Sequence, residues 1–215
     1  TRLKPLTNIL PKPLLPIGEK TILENIMDHF VAAGCNEFYL SLNYKASMIE
    51  QYFRELNNPN YHIHYYREDK PLGTGGSLSL IRDQLKTPFF VTNCDNLQSQ
   101  DLGDIASYHR ENKNEMTVVA ALKSVKLAYG NLITGENELV QRVEEKPEFL
   151  FRVNTGVYLL EPQVLNEIPD NTFFPITDLM TQLVARGGRV GCFPITDGSW
   201  CDIGNWDDYR KVLEK

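Results

Sequence analysis

Between Thr21 and Thr92 the apolar residues switch repeatedly between helical and strand spacing, with only a few residues at each connection. Thr21-x-x-Glu24 has the form of a capping box, in which hydroxyl and carboxylate satisfy backbone N–H groups at a helix start. Ile22, Ile26 and Phe30, with Leu23, Met27 and Val31, keep helical spacing up to Gly34. The pattern predicts a strand over 38–42, a helix carrying Met48, Ile49, Tyr52 and Phe53, a strand over 61–66 and helical spacing over 78–85. Pro88-Phe-Phe-Val-Thr92 reads as a strand buried on both faces, and it stops at Asn93. A βαβαβ order of this kind implies a parallel sheet covered by helices on both faces. The expected fold is therefore α/β, a doubly wound, Rossmann-like sheet.

The second half has another rhythm. Strands are predicted over 116–122, 139–144, 153–160 and 190–195, and helices over 176–186 and 206–213. Fewer helices between strands point to an antiparallel part appended to the doubly wound core, hence a mixed sheet. No repeat or low-complexity linker interrupts residues 1–215, which read as one continuous domain. In such sheets ligands bind beyond the carboxyl ends of the strands, at the switch in strand order. The residues with chemical potential fall there.

Net charge is −6 and no Lys/Arg block stands out, so neither a nucleic-acid groove nor a membrane surface is indicated. No apolar run approaches the ~18 residues of a membrane span, and no secretory leader is recognisable. Cys35, Cys94, Cys192 and Cys201 lie far apart without C-x-x-C spacing, the usage of reduced thiols in a cytoplasmic protein.

An acidic protein binds phosphates with a few aimed cations and backbone N–H groups. Arg2 and Lys12 lie among prolines, in a stretch expected to be a stiff loop rather than a helix. Such a loop can hold a guanidinium and an ammonium against a pyrophosphate leaving group; it can equally be a solvated loop with two incidental cations. Leu72-Gly73-Thr74-Gly75-Gly76 precedes helical spacing, and its glycines permit either close approach of a nucleotide or a plain turn.

Asp95 follows the buried strand and is placed to hold Mg²⁺ bridging substrate phosphates, although Asp also caps turns after strands. Asp202, in Trp200-Cys-Asp-Ile-Gly204, is the second carboxylate for such a site. Glu145 and Lys146, before Pro147, suit sugar hydroxyls and a phosphate, or are a solvated charge run. Asn154-Thr-Gly156 offers a polar ligand group or a β-bulge. The four histidines lack zinc spacing, and no Gly-x-Ser-x-Gly elbow exists.

The order of these landmarks is more specific than any one of them. Thr-Arg-Leu-x-Pro-Leu-Thr, Pro-Lys-Pro, Leu-Gly-Thr-x-Gly, Asn-x-Asp, Glu-Lys-Pro, Asn-x-Gly and Trp-x-Asp-x-Gly, over residues 1–209, closely resemble the nucleotidyltransferase family of sugar-1-phosphate nucleotidylyltransferases. The resemblance implies a GT-A-like nucleotidyltransferase core. Its substrates would be a nucleoside triphosphate and a sugar-1-phosphate, and its products an NDP-sugar and pyrophosphate. It implies Arg2 and Lys12 at the phosphates, Asp95 and Asp202 on Mg²⁺, and the turn from Leu72 through Gly76 beside the base. Tyr129, Gly130, Glu145 and Asn154 would line the sugar pocket, with Lys146 on the sugar phosphate.

The family signature begins with a glycine-rich stretch ahead of Thr-Arg-Leu; here the chain opens at Thr1, and the natural protein is expected to extend upstream. The family's Gly-Asp pair is Cys94-Asp95 here. With the stretch from Leu6 to Gly18, this resembles a subgroup that carries regulatory modules ahead of the transferase and includes guanylyltransferases. GTP and a hexose or hexosamine phosphate are therefore the favoured substrates, in cell-surface polysaccharide synthesis, and a homo-oligomer is compatible with that reading. Two alternatives share the fold: a non-catalytic regulatory subunit that binds nucleotide or sugar phosphate, and a cytidylyltransferase acting on an alcohol phosphate.

Overall fold

The computed structural model describes residues 3–214. Helix α1 (Ile22–Ala32) starts behind a complete capping box: the Thr21 hydroxyl accepts from the Glu24 N–H at 3.2 Å, and the Glu24 carboxylate accepts from the Thr21 N–H at 2.9 Å. Strand β1 (Glu37–Leu42), helix α2 (Ala46–Leu56) and strand β2 (His62–Arg67) form a βαβ unit with the two strands parallel. Then come β3 (Phe89–Thr92), β4 (Asn96–Gln98) and α3 (Leu102–Glu111). The second half contributes β5 (Met116–Lys126), β6 (Asn131–Thr134), β7 (Val140–Glu144), β8 (Glu148–Leu160), α4 (Ile176–Ala185), β9 (Val190–Thr196), β10 (Trp200–Asp202) and α5 (Trp206–Leu213).

Four strands make the central sheet in the order β9-β5-β8-β3, with β9 parallel to β5 and β8 antiparallel to both its neighbours. Both faces are apolar, because alternate residues serve opposite layers. Val91, Met116, Val118, Tyr158 and Leu160 pack with Leu179 and Leu183 of α4. Val119, Ala121, Val157, Leu159 and Ile195 pack with Ile26 and Phe30 of α1 and Ile105 of α3. Helices thus cover both faces of a mixed sheet, the doubly wound α/β fold that the apolar pattern implied. A third cluster, with Leu23, Met27, Ile49 and Phe53, fills the space between α1, α2 and β1.

The short strands β4, β6 and β10 lie outside the predicted strands, and three further elements differ from expectation. β3 pairs antiparallel with β8, while among the described residues β1 and β2 form a sheet of their own. The fully apolar end of β8, Val157 through Leu160, supplies a partner buried on both sides for Phe89–Thr92. The helical spacing over 78–85 is a 3₁₀ helix, Ser77–Ile81, in which Leu78 and Ile81 reach the core at the three-residue spacing of that helix. Helix α3 was not foreseen, although Asp101 caps it by accepting from the Gly103 N–H at 2.6 Å and Leu102, Ile105 and His109 are its buried face. Among the described residues no helix is long and apolar enough to cross a membrane.

His109 is 1% exposed, with Nδ1 2.8 Å from the Thr117 hydroxyl and Nε2 3.4 Å from Glu161 Oε1. Burial holds its pKa below the ordinary 6.5, the Glu161 carboxylate pulling the other way. The unfolded chain takes up the proton first, so stability present above about pH 6.5 is lost as pH falls toward the folded-state pKa. Thermal unfolding between about pH 7.5 and 5.5 should show Tm falling with pH, and His109→Gln should remove that part of the slope.

Candidate active site

The amino-terminal segment is held from several directions. Leu3 is fully buried, Trp206 Nε1 donates to the Lys4 carbonyl at 3.0 Å, and the Tyr209 hydroxyl donates to the Pro16 carbonyl at 2.7 Å. From α2's start, Lys45 Nζ donates to the carbonyls of Asn8 and Ile9 at 2.6 and 2.5 Å. The segment is not pure loop as expected: it contains a helical turn, Leu6–Ile9, and a 3₁₀ turn, Lys12–Leu14. Pro5 precedes the first and Pro13 lies in the first turn of the second, where a missing N–H breaks no helical bond. Arg2 lies outside the described residues.

This anchoring aims Lys12. Its side chain, 15% exposed, forms an ion pair with the carboxylate of Asp95, itself 25% exposed. Asp95 stands in the loop that leaves β3, and its carbonyl accepts from the Ile203 N–H at 3.0 Å. The next residues form the β4–β10 ladder, in which Asn96 pairs with Asp202 and Gln98 with Trp200. The backbone segments that carry these two carboxylates, 107 positions apart in sequence, therefore lie side by side. Two carboxylates suit a hard cation that completes its shell with phosphate and water oxygens. Among the described residues no group of three His, Cys, Asp or Glu is arranged to hold a metal ion by itself, so a cation here would rely on the two carboxylates and on phosphate and water oxygens. The residues present fit Mg²⁺.

The Asn154-Thr-Gly156 segment lies against the same loop. It is a bulge in the β8–β5 ladder, where register shifts between Asn154 and Tyr158. The Asn154 amide shapes it, accepting from the Gly156 N–H and donating to the Tyr158 hydroxyl, both at 2.9 Å. Gly156 has φ +79°, and a Cβ there would lie 2.6 Å from Asn96 Nδ2 and 2.7 Å from Asn93 Nδ2. Only glycine fits. The bulge reading of this segment, left open by the sequence, describes its local structure.

Leu72, Gly73, Thr74 and Gly75 form a separate group beyond the carboxyl ends of β1 and β2. The Glu68 carboxylate ties it down, accepting from the Leu72 N–H at 2.9 Å and the Ser41 hydroxyl at 2.7 Å. The Leu72 carbonyl and the Gly76 N–H bond the backbone of Phe174, both at 2.8 Å. A Cβ at Gly75 would lie 2.8 Å from the Phe174 carbonyl, and one at Gly76 would collide with the Thr172 carbonyl. The room these two glycines leave is taken by the chain's own residues 172–174. Leu72 and Gly75 are buried, whereas Gly73 and Thr74 remain half-buried.

Tyr129, Gly130, Glu145 and Lys146 meet at the base of the β6–β7 hairpin, where Asn131 pairs with Glu144. A Cβ on Gly130 would lie 3.1 Å from Glu145 Oε2. Tyr129 is 80% exposed, and Lys146 is exposed with φ +46°. Sequence reasoning passed over Glu68, Asn93 and Asn96. The asparagines flanking Cys94-Asp95 were the visible signal.

If Gly76 serves packing against residue 172, Gly76→Ala should destabilise the fold by about 1–3 kcal/mol in urea unfolding. A glycine needed only for ligand approach would leave stability unchanged.

The family model described as Nucleotidyl transferase matches residues 1–215. Mannose-1-phosphate guanyltransferases of Schizosaccharomyces pombe and Yarrowia lipolytica are 34% and 33% identical to this chain over 97% of its length. The chain spans 59% of each of these relatives. Among solved structures, HddC from Yersinia pseudotuberculosis superposes with a TM-score of 0.76 at 26% identity, covering 100% of this chain and 93% of that one. A structure of HddC complexed with GMP-PN gives 0.75 at 25% identity, with the same coverage.

Proposed function

Because the chain belongs to the nucleotidyl transferase family, we propose that it is the catalytic core of a sugar-1-phosphate nucleotidylyltransferase. The reaction joins a nucleoside monophosphate to a sugar phosphate. An oxygen of the sugar phosphate attacks the α-phosphorus of the triphosphate, the α–β phosphoanhydride bond breaks, and pyrophosphate leaves with the electron pair. GTP and a hexose or hexosamine phosphate are the proposed substrates. The names of the similar guanyltransferases and the GMP-PN complex of HddC support that choice. Four dispersed cysteines without C-x-x-C spacing are in keeping with a cytoplasmic setting. Cell-surface polysaccharide synthesis and homo-oligomerisation are further parts of the proposal, and rest on the sequence resemblance.

The observation that carries the reading is the Lys12–Asp95 ion pair just beyond the end of a central strand, with the backbone of Asp202 and Ile203 held beside it. Asp95 and Asp202 would hold Mg²⁺, which would offset phosphate charge when bound. Lys12 is fixed by the anchored amino-terminal segment and supplies positive charge against phosphate oxygens without reorganisation. Arg2 is proposed to act on the same leaving group. The backbone of Gly73 and Thr74 borders the base, while Tyr129, Gly130, Glu145, Lys146 and the exposed side of Asn154 contact the sugar phosphate. No covalent intermediate is needed.

Pyrophosphate release by the full-length protein, assayed with Mg²⁺ over the four nucleoside triphosphates and several sugar-1-phosphates, tests this. GTP with one hexose or hexosamine phosphate should be productive. Lys12→Met should lower kcat by about 10²–10³-fold, the scale of losing one aimed electrostatic group. Asp95→Asn and Asp202→Asn should lose turnover while remaining folded. Wild-type rates in both Asp variants would refute the carboxylate assignment. Absence of turnover across the grid, with nucleotide still bound, would favour the regulatory-subunit alternative.

A further inference from the structure

Asn96 touches three parts of the site at once. It is 4% exposed, and its Nδ2 donates to the Thr155 carbonyl at 2.6 Å, inside the bulge on the sugar side. Its backbone directly follows Asp95 and is the ladder partner of Asp202. Thr155 is fixed in turn: it is 2% exposed, and its hydroxyl donates to the Val119 carbonyl in the central sheet at 2.8 Å while accepting from the Val157 N–H at 3.3 Å. The neighbouring contacts tighten the same clamp. The Asn93 N–H donates to the Gly156 carbonyl at 3.3 Å, and both asparagine amides close on the face of Gly156 where a Cβ would stand.

A surface asparagine beside a catalytic loop usually shapes only its own turn. Asn96 is different in being buried and bonded to a segment 59 residues away in sequence. A buried amide that loses its partner carries the full desolvation cost, so the hydrogen bond is made in nearly every molecule. Moving the bulge therefore moves Asn96, and moving Asn96 displaces the backbone that sets the separation of Asp95 and Asp202.

We propose that Asn96 is a positioning residue, which locks the bulge at 154–156 to the two-carboxylate cation site so that occupation of either is registered by the other. The proposal rests on the assignment of Asp95 and Asp202 to the cation. It makes Gly156 part of the same device, since a methyl group there displaces both asparagine amides without touching a carboxylate.

Hydrogen exchange of the full-length protein, read by mass spectrometry with and without Mg²⁺ alone, tests it. In wild type, Mg²⁺ should slow exchange at residues 155–157 about fivefold, the scale of a modest coupling free energy. Asn96→Ala should keep Mg²⁺-dependent protection of the 93–97 segment and lose it at 155–157. Gly156→Ala should raise the Mg²⁺ concentration needed to protect 93–97 by about fivefold. A folded Asn96→Ala protein that still transmits Mg²⁺ protection to 155–157 would overturn the proposal, as would unchanged Mg²⁺ dependence in Gly156→Ala. Asp95→Asn separates the two ideas. If it abolishes all Mg²⁺ protection while the Asn96 and Gly156 variants behave as wild type, the positioning role alone is wrong. If it changes nothing, or if wild type shows no Mg²⁺ protection, the cation assignment falls and the positioning role with it.

Discussion

Three residues from the middle of the chain and three from near its end pair as a short antiparallel ladder, Asn96–Gln98 against Trp200–Asp202. This contact brings two distant segments side by side. Asp95 is delivered by the buried strand β3, whose position is set by the apolar end of β8 and the two helical layers. Asp202 arrives from the opposite direction, and the ladder and the Ile203-to-Asp95 backbone bond at 3.0 Å set its backbone against that of Asp95. Helix α5, which begins four residues after Asp202, carries the constraint further: Trp206 and Tyr209 bond the amino-terminal segment that aims Lys12.

The site is thus organised mainly by backbone. Sheet ladders, a glycine bulge and carbonyls held by buried side chains fix where the charged groups stand, so they are in place before any substrate binds. For the proposed phosphoryl transfer this would matter more than the number of functional groups, because positioning and charge stabilisation provide most of the catalysis in such reactions. It also explains the division of labour among glycines. Gly156 and Gly76 are required by other parts of the chain that approach too closely for a Cβ.

Much of the fold was legible in the sequence, since helical and strand periods are written in where apolar residues fall. The helices starting at Ile22 and Trp206 and the strands around 38–42 and 190–195 follow directly from that spacing. What was not legible is pairing. Nothing in Phe89–Thr92 says that its partner is antiparallel and 65 or more positions away, and a 3₁₀ helix at 77–81 leaves the same apolar marks as an α-helix. The same limit applies to the site. Lys12, Asp95 and Asp202 stood out as charges at strand ends and in a stiff loop; the structure pairs Lys12 with Asp95 and sets the backbone of Asp202 against that of Asn96. Asn96 and Glu68 did not stand out, because a polar residue that holds distant backbone looks like any turn residue until the distant segment is in view. For Gly75 the sequence left ligand approach and a plain turn both open, and the structure sets the face where a Cβ would stand against the chain's own Phe174.

Asp95 and Asp202 are proposed to act as a single cation site. Mn²⁺ binding to the full-length protein, followed by electron paramagnetic resonance, tests it most directly. The account predicts one ion per chain in wild type, and an affinity at least about tenfold weaker in Asp95→Asn and in Asp202→Asn, with the double variant scarcely worse than either because the two groups work as a unit. Unchanged affinity in either single variant, or two separately lost ions, would contradict it.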